Sequence, residues 1–402
     1  MSQVWPGATI GIIGGGQLAR MMALEARRMG YRVAVLDPDH EGPAAQVADL
    51  CIAGAFDDWA AAEALAAQSD VITLDTEHVP AELLAWLETK KPVRPGADVL
   101  RIVQDRCEQR RFLETVCAPQ TRYAQVSDLR SLQAAGNVVG FPCILKTRRW
   151  GYDGKGQIKV DRSEELEGAW GRLERDPSLL EAFVDFEKEI SILLARDLSG
   201  SIRFYPVAEN HHRHHVLHTT RVPGRISNEL AAEAKKLGAS IASALGHVGM
   251  MAVELFVTRE GGLLVNEIAP RPHNSGHYTF GACATSQFEQ HVRAICGLPL
   301  GDPSLLRPAA MMNLLGHHWR SGSPDWEAVL SCPSARLHLY GKKSPSPGRK
   351  MGHVLVIDDC DQHAMDAIEA IERTLDEAAR DAHILHRTLA RGVVGEVVFD
   401  LR

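Results

Sequence analysis

Residues 8–13 (ATIGII) form an apolar run of β-formers, glycines follow at 14, 15 and 16, and Leu18, Met21, Met22, Ala26 and Met29 then recur at helical spacing. The order is strand, tight loop, helix. A second strand, Arg32–Leu36, ends at Asp37, and a third, Asp70–Leu74, follows an alanine-rich helix at 58–68. Strands separated by helices pair in parallel and carry the helices on both faces of the sheet. Residues 1 to about 100 are therefore expected to form a doubly wound parallel domain of the α/β class.

The chain has 402 residues, too many for one ordinary core. KPVRPGADVL (91–100) marks a break, and helical spacing over 97–115 then leads to Pro119 and a shorter unit. There PCILKTRR and GQIKV read as strands around a glycine-rich loop, with a helix at 163–175 and strands near 180–184, 188–194 and 202–208. Past a proline-rich stretch near 300, strands are expected near 335–340, 352–357 and 393–400. The expected division is 1–105, 106–195 and 196–402. A net charge of −7 argues against nucleic-acid binding. Eight scattered cysteines form no CxxC pair, so neither a zinc site nor a disulfide framework is expected. No basic-then-apolar leader and no long apolar run is visible, so the expectation is a cytoplasmic protein with no membrane span.

MAVELFV and GLLVNEI flank Thr258-Arg259-Glu260-Gly261-Gly262 and read as an antiparallel hairpin. With the tip between Glu260 and Gly261, Glu254 and Glu267 face each other across the ladder. Like charges directly opposite are destabilising, so such a pair calls for a cation. Oxygen-only ligands favour magnesium, which completes its shell with water and substrate phosphates, and this points to a nucleoside triphosphate. The alternative is a register slip that leaves one Glu in solvent.

Five other segments carry polar or glycine patterns with more than one reading. Gly14-Gly15-Gly16-Gln17-Leu18-Ala19 fits G-x-G-x-x-A and can serve NAD, with Asp37 on the ribose, the phosphate of another ligand, or only a tight turn. Lys146 and the segment 148–157 (RRWGYDGKGQ) read as a flap that closes over phosphates, or as a plain surface hairpin. In His211-His212-Arg213-His214-His215, strand alternation would put His212 and His214 on one face; hydrogen bonding beside a nucleotide, or simple exposure, is the alternative to a metal role. Arg271, His273 and Asn274, stiffened by Pro270 and Pro272, either orient a small oxyanion or cap a loop, and Arg349-Lys350 in a Pro-Gly turn either grips a phosphate or is solvated.

GIIGGGQLAR, DTEHVP, ILKTRRWGYDGKGQ, MAVELFV, VNEIAPRPHNSGH and SPGRKMGH run in order along nearly the whole chain. Together they resemble the ATP-grasp N5-carboxyaminoimidazole ribonucleotide synthetases of purine biosynthesis. The resemblance implies an ATP-grasp architecture behind an N-terminal pre-ATP-grasp domain. It also implies a homodimer and a ligase that uses ATP, magnesium and bicarbonate to carboxylate 5-aminoimidazole ribonucleotide. Position by position, it assigns ATP to Arg106, Lys146, Gly151, Tyr152, Asp153, Gly154, Lys155, Gly156, Gln157, Glu181, Ala182, Phe183, Val184, Glu189, His212, Asn266 and Glu267. Glu181–Val184 would read adenine, Glu189 would bind the ribose, and Glu254 and Glu267 would bind magnesium. The ribonucleotide would fall to Gly16, Gln17, Leu18, Glu77, Tyr152, Asp153, His273, Asn274, Arg349 and Lys350. Ala19 stands where many members have Gly, and Leu74–His78 departs from a more aromatic strand end.

The implied mechanism is attack of bicarbonate on the γ-phosphorus to give carboxyphosphate, with Lys146 neutralising charge, Arg271 holding bicarbonate and His273 assisting proton transfer. Rival readings are an ATP-grasp ligase using formate or an amino acid, a NAD-dependent oxidoreductase, and a nucleotide sensor without turnover.

Overall fold

The computed structural model describes residues 3–151, 155–320 and 322–392, with 378–392 as backbone only. It contains two compact units, Met1–Leu306 and Arg307–Arg402.

The first unit opens with β1 (Thr9–Ile13), β2 (Arg32–Asp37), β3 (Leu50–Ala53) and β4 (Val71–Leu74), an all-parallel sheet in the order β3-β2-β1-β4. The doubly wound expectation holds, and one edge strand was not foreseen. β3 is a four-residue edge strand, LCIA, with no fully buried position, and no helix separates it from β2. The chain reverses its winding between β1 and β4, and the carboxyl ends of these neighbours form the crevice of an open α/β sheet. Gly14–Gly16 follows β1 there, and Asp75–Glu77 follows β4.

A second sheet joins β5 (Tyr123–Val126), β6 (Cys143–Thr147), β7 (Gln157–Val160) and β8 (Ser178–Ala182) in the antiparallel order β5-β8-β6-β7, with the flap segment between β6 and β7. The third consists of β9 (Phe186–Arg196), β10 (Ile202–Phe204), β11 (Ala208–Arg213), β12 (Val216–Val222), β13 (Gly249–Thr258) and β14 (Leu263–Ala269). Its order is β14-β13-β9-β11-β12, with β10 on β9. Ile192, Leu194, Val253 and Leu255 pack there against Ala234 and Ile241 of the helix Asn228–Ala244.

Two local expectations change. The helix expected over 97–115 is two, Ala97–Val103 and Arg106–Thr115, because the Asp105 carboxylate accepts the Cys107 and Glu108 N–H groups and starts a new helix. In the histidine run, strand alternation stops at Arg213. His214 and His215 are the two-residue turn from β11 to β12, both with positive φ (51° and 65°), as a type I′ hairpin turn requires. His212 and His214 therefore do not share a strand face.

The second unit is built on β15 (Ala309–Leu315), β16 (Ala335–Leu339) and β17 (Lys350–Ile357), antiparallel in the order β15-β17-β16, with the helix Asp361–Gly392 packed on it through Ile368, Ile371 and Leu375. β15 is buried at every position and so shows no alternation. The strand expected near 393–400 lies outside the described residues. Among the described residues, no helix is long and apolar enough to cross a membrane.

A pair of buried histidines ties the first and third sheets together. Met250 N–H donates to His291 Nδ1 (3.0 Å), so the ring proton sits on Nε2, 2.7 Å from Thr73 Oγ1; His247 Nε2 lies 2.9 Å from Met250 O. Burial lowers the two pKa values to about 3 for His291 and about 4 for His247, both below the ordinary 6.5. With folded values depressed, the neutral rings contribute fully above the unfolded value, and that contribution is lost as pH falls below 6.5. Below pH 6.5 the protein should lose about 1.4 kcal/mol per pH unit for each ring. Chemical denaturation at pH 7 and 5 should show this loss, and His291→Gln should flatten it. Equal stability at both pH values would remove the two rings from the acid transition.

Candidate active site

The β13–β14 ladder pairs Glu254 with Glu267, but the register is not uniform. The loop closes one residue earlier than expected, with Thr258 N–H on Gly262 O, so Leu255 faces Val265. A bulge then takes up Asn266 and restores the register at Glu254 and Glu267. The extra residue also brings the Asn266 amide to 3.5 Å from Glu254 Oε2. Two carboxylates and an amide thus converge on one strand pair. Arg106 Nη1 lies 3.9 Å from Glu267, and His273 Nε2 lies 3.4 Å from Glu254. Two facing carboxylates with an amide beside them form an oxygen-rich set that suits a hard divalent cation such as magnesium.

Beside the hairpin lies a buried ionic cluster. Glu181, on β8, receives Arg110 Nε at 2.7 Å and Lys146 Nζ, from β6, at 2.5 Å. Burial alone would raise the Glu181 pKa, yet the Arg110 and Lys146 charges hold it well below the carboxylate range. Lys146 is lowered, chiefly by burial and with Arg106 and Arg110 adding to it, although Glu181 opposes the shift. Arg110 also donates to the Val265 and Asn266 carbonyls, 2.9 Å each, and so pins the bulge to β8. Sequence reading missed it because Arg110 sits among charged neighbours in EQRRFLE. Glu181's carboxylate is engaged in this cluster, while the Ala182 and Phe183 N–H groups are bound to Arg122 O and Pro142 O, and Val184 follows in the loop. Across β9 and β11, His212 Nδ1 contacts Glu189 Oε2.

The flap is anchored at both ends. Asp105 accepts Arg148 Nε (2.6 Å) and Arg149 Nε (3.1 Å), and Arg106 reaches Gly151 O at 3.3 Å. Thr147 N–H donates to Gly156 O, and a Cβ on Gly156 would lie 2.5 Å from Thr147 Oγ1. Lys155 and Gln157 flank this point; Tyr152, Asp153 and Gly154 lie outside the described residues.

The loop after β14 holds Arg271 in an ion pair with Glu77 (2.8 Å), and Gln287 clamps both backbone groups of His273. His273 Nδ1 lies 2.8 Å from Ser275 Oγ, which aims Nε2 at Glu254. Asn274 is 7% exposed, and neither polar atom of its amide has a hydrogen-bond partner. A buried amide left unsatisfied is costly, so this one is suited to a ligand.

At the glycine loop the structure changes the reading. Gly15 N–H donates to Asp37 (2.6 Å), and Gly16 and Ala19 N–H donate to Asp75 (2.6 and 3.1 Å). Protein carboxylates thus hold three N–H groups that a phosphate would need, and Asp37 is not free for a ribose. Burial raises the Asp75 pKa to about 6, against the opposing charge of Arg271 and the two N–H groups. A Cβ on Gly16 would meet Asp75 Oδ2 at 2.5 Å. Gly16→Val should therefore expel Asp75 and cost about 1–3 kcal/mol, measured by denaturant midpoint. Parent-like stability would show that the loop yields freely.

In the second unit, Arg349 Nη1 donates to Ser344 O (2.9 Å), and Lys350 opens β17 opposite Leu315.

Family models describe three segments. An ATP-grasp domain matches 111–288, a ribonucleotide synthetase preATP-grasp domain 7–104, and a phosphoribosylaminoimidazole carboxylase C-terminal domain 309–367. The N5-carboxyaminoimidazole ribonucleotide synthase of Bacillus subtilis is 43% identical over 351 residues, 87% of this chain and 92% of its own length. That of Brucella melitensis is 44% identical over 351 residues, 87% and 96%. Among solved structures, the Staphylococcus aureus N5-carboxyaminoimidazole synthetase complexed with ADP superimposes with a TM-score of 0.88 at 37% identity, covering 92% of this chain and 98% of that one. The Aspergillus clavatus synthase in complex with ADP and 5-aminoimidazole ribonucleotide gives 0.87 at 29%, covering 93% and 100%.

Proposed function

The chain belongs to the N5-carboxyaminoimidazole ribonucleotide synthase family of ATP-grasp ligases, and from that premise we propose how its residues share the work. It is an ATP-dependent ligase that converts 5-aminoimidazole ribonucleotide to N5-carboxyaminoimidazole ribonucleotide in purine biosynthesis. We infer that bicarbonate supplies the carboxyl group and carboxyphosphate is the intermediate.

The observation that carries the site assignment is the Glu254–Glu267 pair, with Asn266 bulged beside it and the Lys146–Glu181–Arg110 cluster adjacent. Glu254 and Glu267 would hold magnesium, which when bound neutralises the triphosphate. Lys146, kept in place by Glu181, meets the phosphates as a point charge. Glu189 and His212 serve the ribose, the edge through Val184 serves adenine, and the 151–157 flap excludes water from an intermediate that hydrolysis would destroy. Arg271, oriented by Glu77, holds bicarbonate, and His273 Nε2 moves the proton of the attacking amine. Asn274's unsatisfied amide and the Gln17–Leu18 edge receive the ribonucleotide, while Arg349 and Lys350 are assigned to its phosphate by resemblance alone. A homodimer and a cytoplasmic location carry over from the family as proposals, the first open to sedimentation analysis.

The dinucleotide reading finds no support, since Asp37 and Asp75 occupy the loop that would hold the pyrophosphate. ADP release in the presence of 5-aminoimidazole ribonucleotide should require bicarbonate, with formate and amino acids unable to replace it. Release supported by formate would refute the carboxylation reading.

A further inference from the structure

Gln104 and Asp105 form the joint between the helices Ala97–Val103 and Arg106–Thr115, and they reach in two directions. The Gln104 amide donates to the Glu77 and Val79 carbonyls, in the loop whose Glu77 carboxylate orients Arg271. Asp105 is fully buried, and its carboxylate accepts Arg148 Nε and Arg149 Nε while capping the second helix. Burial alone would raise its pKa, but the bonds from Arg148 and Arg149 hold it below the ordinary value, so the group is charged. The backbone repeats this tie, with Arg106 N–H on Arg148 O at 2.9 Å. Just beyond the two arginines, Trp150 has a φ of 65°, in the left-handed region where a bulky side chain is an outlier. Such a conformation persists only where its surroundings over-determine it. Here Asp105 fixes Arg149 on one side, Arg106 holds the Gly151 carbonyl at 3.3 Å on the other, and the indole lies 5.3 Å from the His78 ring. The indole is 55% exposed and buries too little surface to impose this backbone by itself.

We propose that Asp105 is a positioning residue for the ligase reaction: it fixes the flap root, residues 148–151, against Arg106 and, through Gln104, against the loop that orients Arg271. Arg106 in turn faces Glu267, with Nη1 at 3.9 Å, so the same joint relates the flap root to the metal carboxylates. The inference rests on the carboxyphosphate reading above. Its consequence is the coupling of ATP consumption to product. Water that reaches carboxyphosphate returns bicarbonate, phosphate and a proton, so a root out of place consumes ATP without carboxylating the amine.

The test measures initial rates of ADP and of N5-carboxyaminoimidazole ribonucleotide in one reaction, with the full chain at saturating ATP, bicarbonate and 5-aminoimidazole ribonucleotide. The parent should release one ADP per product. Asp105→Asn keeps the shape and a helix-capping acceptor but removes the charge that two guanidinium groups share, and it should raise ADP per product at least about threefold. Arg149→Gln, at a side chain 51% exposed that folding does not depend on, should move the ratio the same way by a smaller factor. Glu108→Gln removes the other carboxylate on Arg148 (3.2 Å) and leaves Asp105 in place, so its ratio should stay at one. A merely structural role would lower both rates together and leave the ratio alone. Parity in Asp105→Asn overturns the proposal, as does a raised ratio in Glu108→Gln; should Asp105→Asn fail to fold, parity in Arg149→Gln overturns it. A parent that makes no product refutes the carboxylation reading itself, and this inference with it.

Discussion

Glu267→Gln should fold as the parent does and turn over ATP at least about a hundredfold more slowly. Its side chain is 47% exposed, and its cationic neighbour, Arg106, is 3.9 Å away, so the hairpin does not rest on its charge. What the charge provides is one of the two carboxylates that the bulge brings face to face. Gln keeps the shape and removes half of that charge. The loss should appear in kcat at saturating ATP and be partly relieved by high magnesium, while the thermal midpoint stays put or rises as like-charge repulsion disappears. Parent-level kcat at ordinary magnesium would detach Glu267 from the metal.

The second large effect concerns stability. Arg110→Leu leaves Glu181 buried with Lys146 alone and strands the Val265 and Asn266 carbonyls that Arg110 satisfied. Removing one member of a buried ion cluster typically costs about 3–5 kcal/mol. Lys146 remains as a partner, so the expected loss is near the lower figure. Arg110→Leu combined with Glu181→Leu should recover part of it, because the uncompensated charge goes too. Denaturant midpoints for the two variants decide this. A single variant as stable as the parent would mean that the bulge is held by packing alone.

The Glu254–Glu267 pairing was legible because composition and glycine placement mark a hairpin with little latitude, yet the agreement has two parts. The loop is centred on Glu260, one register short of the expectation, and the bulge at Asn266 supplies the missing residue. No local pattern announces a bulge, since its cause lies at a distance, in Arg110 gripping two consecutive carbonyl groups. The parallel sheet was legible from apolar runs alternating with helical spacing; β3, the short run LCIA, was not, because no helix separates it from β2. Asp75 and Asp37 were invisible as caps. A G-x-G-x-x-A loop exposes N–H groups to whatever anion the fold brings, and the identity of that anion depends on the end of β4, some sixty residues away. His214 shows the opposite limit, where a two-residue turn overrides strand alternation.

Bicarbonate labelled with oxygen-18 follows the proposed chemistry atom by atom. If bicarbonate attacks the γ-phosphorus, one of its oxygens stays on phosphorus when the carboxyl group passes to the amine. The released phosphate should then carry one labelled oxygen per turnover, in step with ADP and with product. Unlabelled phosphate, formed while N5-carboxyaminoimidazole ribonucleotide accumulates, would contradict activation of bicarbonate by ATP at this site.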